Sequence, residues 1–166
     1  ETGAQLVHLK ENYPKMNELL EGRAFFRYLE INTLDKGTLA EYDKVYDKIT
    51  YSNGKNGVSS KRVSRNLQKV TPGKWSGCND LSGTVRHEIG HAVQHRISGS
   101  TRRNWNVVYG SMSTKTISKQ ISKYGSKNAQ EAFSESFAMY TSPVYKSSSK
   151  KLPKDVDNYF KNLLGA

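Results

Sequence analysis

The chain has 166 residues, of which 35% are hydrophobic and 25% charged, enough for one domain with its own core and too few for two. Its apolar runs are far shorter than the about 20 residues that cross a bilayer as a helix, so no membrane-spanning helix is expected. The net charge of +11 would suit an anionic partner, but the basic residues are scattered, the densest groups being Arg102-Arg103 and Lys150-Lys151, so a dedicated nucleic-acid surface is not expected.

In chain order, Glu1-Thr2-Gly3 reads as a remnant of an expression vector, and no charged-then-apolar signal segment follows it. Pro14, with Met16, Leu19, Leu20, Phe25, Phe26 and Leu29 at mostly helical spacing, predicts a first helix. Residues 38–42 and 48–52 alternate as strands do, and the second run is followed by the turn formers Asn53-Gly54 and Asn56-Gly57, which predicts a hairpin or two sheet strands. Residues 58–79 read as irregular. They hold the single cysteine, Cys78, which excludes an internal disulfide and is expected to be an ordinary buried or half-buried thiol.

Three helices are expected after that. The first runs from about Asp80 to Ile97, with Asp80, Ser82 and Thr84 as polar caps, Val85, Ile89, Ala92 and Val93 recurring on one face, and a stop near Gly99. The second runs from about Asn128 to Tyr140, capped by Asn128 and followed by Pro143. The third runs from about Lys154 to Leu164, between Pro153 and Gly165. One helix, strands, then mostly helices is an α+β layout in a single domain spanning residues 1–166.

The stretch "RHEIGHAVQHRI" carries the chemistry. His87 and His91 are four apart on the first late helix and so share a face, which makes a two-histidine zinc clamp with Glu88 beside it. His95 lies eight residues from His87, about 12 Å along a helix axis, too far for donors that must each sit ~2.1 Å from one zinc. It is expected at the surface or behind the ligands. The pattern that would place further ligands on the same helix fails, because Gln94 and Ile97 stand where it needs glycine and histidine.

A catalytic zinc keeps three protein ligands and one open position, so the third ligand must come from elsewhere. In "NAQEAFSESFAMY", Glu131 and Glu135 are four apart amid Ala132, Phe133, Phe137 and Ala138. Two carboxylates on a partly apolar face need cations or hydrogen-bond donors to meet them. Alone, Glu131 reads as the partner of Asn128 in a capping box. With the clamp upstream, it reads as the third ligand, and Glu135 as the acceptor for a ligating histidine's other ring nitrogen.

"HEIGHAV" together with "YGSKNAQEAFSESFAMYTS" resembles the catalytic core of the lethal-factor-type zinc endopeptidases, gluzincins that also include the secreted Pro-Pro endopeptidases and domains appended to phage head proteins. The resemblance covers about Leu81 to Leu164. It rests on Tyr124, seven residues before Glu131, on Glu135 one turn after it, and on Pro153-Lys154 at the last helix. It implies a zincin-like fold and a monomeric endopeptidase acting on protein or peptide substrates, secreted or delivered by a phage or toxin. It also implies Zn2+ on His87, His91 and Glu131, Glu88 as general base, and Tyr124 as the donor to the oxyanion. The alternative is a catalytically inactive virion- or nucleic-acid-associated module that keeps the fold; intact Glu88, Glu131 and Tyr124 argue against it. Nothing in the first 80 residues speaks to substrate choice.

Overall fold

The computed structural model describes residues 2–20, 28–32, 40–52 and 80–166. Cys78, Phe25, Phe26, the two Asn-Gly pairs and the stretch read as irregular all lie outside them.

The chain begins with α1 (Thr2–Asn12) and the short α2 (Met16–Leu20), then β1 (Tyr28–Asn32), β2 (Ala40–Asp43) and β3 (Lys48–Ser52). Helices follow: α3 (Leu81–Arg96), α4 (Gly99–Gly110), α5 (Thr114–Gln120), a 3-10 turn at Gly125–Lys127, α6 (Ala129–Tyr140) and α7 (Lys154–Leu164). The layout is thus mixed and mostly helical, with a three-stranded sheet in the order β1-β3-β2. β1 runs parallel to β3, from Tyr28 opposite Lys48 to Asn32 opposite Ser52. β2 runs antiparallel to β3, closing the expected hairpin, with Tyr42 opposite Ile49.

The first expected helix needs correcting. Pro14 lies in a turn between α1 and α2, and Leu29, counted as helical, sits in β1. Its partner strand decides the matter: a five-residue segment has too little helix to stabilise itself, whereas β3 offers it a full ladder. Residues 2–12, with Leu6 and Leu9 as their main apolar anchors, form a helix that periodicity did not reveal, and Thr2 and Gly3 belong to it. The first late helix stops before Gly99 as expected, and Gly99 opens a further helix, α4, which Ser98 caps by accepting the Thr101 N–H at 3.1 Å.

The three later helices form at the expected places. Asp80 caps α3 by accepting the Gly83 N–H, and Asn128 caps α6 by accepting from Gln130 and Glu131. α7 ends at Gly165, whose φ of 73° is the left-handed cap that glycine adopts without strain. Val156, Phe160 and Leu164 of α7, each four apart, are fully buried. Phe160 meets Phe133 and Phe137 of α6 and Trp105 of α4, with ring centroids 5.1–6.2 Å apart. Trp105 also donates its indole N–H to Ala129 O at 2.7 Å.

The crossing of α3 and α6 carries the site. A Cβ on Gly90 would lie 2.9 Å from Ser134 Cα and 3.3 Å from Phe137 Cβ, so only glycine lets the helices come this close. Arg86, also buried, fixes the same pair farther along: its Nε donates to Ala138 O at 3.1 Å and its Nη1 to Gln5 Oε1 of α1 at 2.9 Å. The bidentate grip holds α1, α3 and α6 in one block.

Candidate metal centre

At the crossing, His87 and His91 project from α3 toward Glu131 of α6. His87 Nε2 and His91 Nε2 are 3.1 Å apart, and Glu131 Oε2 lies 3.3 Å from the first and 3.4 Å from the second. Donors held ~2.1 Å from a common ion at tetrahedral angles lie about 3.4 Å from one another, so this triangle has the size of three corners of a zinc tetrahedron. Glu131 Oε2 is buried, and no donor hydrogen is aligned on it. Three lone-pair donors converging with no aligned proton between carboxylate and rings is the arrangement a cation fits.

Glu131 does not close the capping box: Asn128 Oδ1 caps its N–H at 2.9 Å, while its own carboxylate turns to the histidines. One turn on, Glu135 Oε1 approaches His87 Nδ1 to 2.8 Å. The contact stands off the hydrogen-bond direction of the ring yet is close enough to hold the ring and fix which nitrogen faces the triangle. Glu135 is 2% exposed, so its charge has little water to rest in.

The electrostatics point the same way. Burial works to lower the His87 pKa, but its close contacts with Glu131 and Glu135 and the charges of Glu135 and Glu88 outweigh it and push the ring up to about 10. Burial would raise Glu131, yet His87 and His91 pull it down to about 2. The cluster therefore favours a positive charge at neutral pH, whether a proton on His87 or a bound cation. Burial, helped by the charge of Glu131, pushes Glu88 above its ordinary value, against the opposing pull of His87, His91 and a hydrogen bond from the Tyr42 backbone N–H. A raised carboxyl beside two imidazoles is suited to taking up a proton.

Tyr124 stands in the same group, its ring centroid 5.7 Å from that of His87 and its face under Lys127 Nζ at 4.0 Å. Burial, then the charges of Glu131, Glu88 and Glu135, push its hydroxyl up to about 12, so the phenol keeps its proton as a donor at neutral pH. Its place comes from the turn it begins. Ser122 Oγ accepts the Gly125 N–H at 2.8 Å, and a Cβ on Gly125 would be 3.3 Å from Ala132 Cα, so this glycine lets the turn close onto α6.

The six expected site residues are thus brought together, while His95 is exposed and outside the donor triangle. Nucleic-acid or membrane features are not needed to explain the arrangement, and no described helix is long and apolar enough to cross a membrane. Comparison with protein-family models, curated proteins and solved structures finds no match.

Several residues that shape the centre were not singled out in the sequence. Gly90 carried a signal, since a glycine between two histidines on a helix costs about 1 kcal/mol against alanine and asks for a reason. Arg86 and Tyr42 carried none, because their roles depend on partners far along the chain.

Proposed function

We propose that the chain is a zinc-dependent endopeptidase with a zincin-like fold of the lethal-factor type. The observation that carries the reading is the donor triangle of His87, His91 and Glu131, with edges of 3.1–3.4 Å and Glu88 and Tyr124 beside it. The sequence resemblance supports it independently, through Tyr124 and Glu135 at fixed spacing from Glu131.

Zinc on these three donors would polarise a water and lower its pKa toward neutrality. Glu88 would serve as the base that takes a proton from the attacking water and returns it to the departing nitrogen of the peptide. Tyr124 donates its hydroxyl to the oxygen that gains charge in the transition state. Glu135 holds the His87 ring from behind, which leaves Nε2 facing Glu131 and His91, where it would hold the metal.

Profiling of new peptide termini in a peptide library tests the reading. Wild-type protein with zinc should generate new termini, and Glu88→Ala should generate none while keeping its zinc and its melting temperature. Cleavage by Glu88→Ala at near the wild-type rate would overturn the mechanism, and a zinc-loaded wild type with no cleavage at all would overturn the activity.

A further inference from the structure

We propose that Asp47, in the turn between β2 and β3, is a positioning residue for Glu88, acting through Arg96 and Tyr42. The inference rests on the reading of Glu88 as the base. The turn is built to present Asp47. Asp43 Oδ1 accepts the Val45 and Tyr46 N–H groups at 2.8 and 3.2 Å, and Asp47 has a φ of 51°, the left-handed region that aspartate and asparagine tolerate better than most residues. Among the described residues it is the single non-glycine with positive φ.

From that turn, the Asp47 carboxylate makes two long-range contacts. Oδ1 accepts the Tyr42 hydroxyl at 2.8 Å, and Oδ2 pairs with Nη2 of Arg96 on α3. Arg96 is steadied in turn by its Nη1, which donates to Ala92 O at 3.1 Å. The side chains of the pair are only 16% and 19% exposed, so water screens it less than it would a surface ion pair.

The hairpin is therefore bolted to α3 at Arg96. It meets the same helix again about 12 Å toward its N-terminus, eight residues at ~1.5 Å each, where the Tyr42 backbone N–H reaches the Glu88 carboxylate. Among the described residues β2 lies at the edge of the sheet, so a main-chain donor of this kind is available to a side chain outside the ladder. Tyr42 joins the two bolts, its ring on Asp47 and its main chain on Glu88. A carboxylate with one oxygen fixed by an immobile N–H presents the other in a defined direction, which is what a base needs. Without the Asp47 charge, both the Arg96 pairing and the hold on the Tyr42 ring weaken, and the edge strand is free to lift from Glu88.

Amide hydrogen exchange at Tyr42, measured by NMR on the zinc-loaded full chain, tests this without needing a substrate. Asp47→Asn keeps the tolerance for positive φ and an acceptor oxygen but removes the charge; Arg96→Met removes it from the other side. Both should speed Tyr42 exchange by about tenfold or more, as should Glu88→Ala, which removes the acceptor, while the Phe160 amide in α7 keeps its wild-type rate. Unchanged Tyr42 exchange in Asp47→Asn overturns the proposal, as does acceleration at Tyr42 and Phe160 alike, which would mean general loosening. Zinc content and peptide cleavage by the wild type report separately on the peptidase reading, so its failure would be distinguishable.

Discussion

Consecutive helices α3 and α4 do opposite things with their polar residues. α3 buries ten residues, and Arg86, His87, Glu88 and Gln94 are among them; α4, with twelve residues, buries Trp105 alone and leaves Val107 72% exposed. Burying charged and polar side chains is costly unless each finds a partner. In α3 each buried charged group, Arg86, His87 and Glu88, faces a partner on another element, and His87 and Glu88, with the half-buried His91, face the same small space. A helix built only for stability would be expected to look like α4, anchored by one large apolar side chain. The polar burial in α3 marks the candidate metal centre.

That contrast can be broken from either side. The largest effect is expected at the α4 anchor: Trp105→Ala should destabilise by about 3–5 kcal/mol, by emptying the space between Phe133, Tyr159 and Phe160, while the folded fraction still binds zinc. Denaturant unfolding and zinc titration measure the two. Behind the donor triangle, Glu135→Gln should weaken zinc binding by about 10–100-fold with only a small change in stability, because it removes the charge that orients His87. Competition with a chelator reads this directly. At the crossing, Gly90→Ala should cost about 1–3 kcal/mol, since its Cβ meets the Ser134 backbone, and should weaken zinc binding by moving α6 and Glu131 away from α3.

The pH dependence follows from the same cluster. His87 is pushed up to about 10 and Glu131 down to about 2, so between these values zinc must displace at least one proton. Zinc affinity should rise by about tenfold per pH unit across the neutral range and level off above pH ~10. The metal-free protein should trend the other way. The stabilisation from protonated His87 is complete below its ordinary value of 6.5 and is lost as the pH climbs through about 10. Melting temperatures with and without zinc across pH 6 to 10 should therefore diverge, by an amount set by ~1.4 kcal/mol per pKa unit. The smallest effect is expected on the exposed face of α4, where Val107→Ser should change stability by less than about 0.5 kcal/mol and leave zinc binding untouched.

The same contrast explains what could be read from the residues. α3, α6 and α7 combine apolar periodicity with capping residues at their ends, so Asp80, Asn128 and Gly165 fall where expected. The spacing of His87, His91, Glu131 and Glu135 was legible because two residues four apart share a helix face whatever the rest of the chain does. α1, α4 and α5 were missed because each buries too few apolar residues to show a period: Trp105 alone in α4, Ile117 alone in α5. Leu29 was placed in a helix because its strand identity comes from β3, some twenty residues further along the chain. The Asp47–Arg96 pair and the grip of Arg86 were out of reach for the same reason, since they join positions 49 and 52 residues apart.

Zinc stoichiometry tests the central claim most directly. Elemental analysis after metal loading and desalting should find about one zinc per wild-type chain and next to none in Glu131→Ala, which leaves the two histidines without their carboxylate partner. Circular dichroism on the same samples should find both proteins folded. No zinc on the wild type, or full retention by Glu131→Ala, would contradict the assignment of His87, His91 and Glu131 as a metal centre.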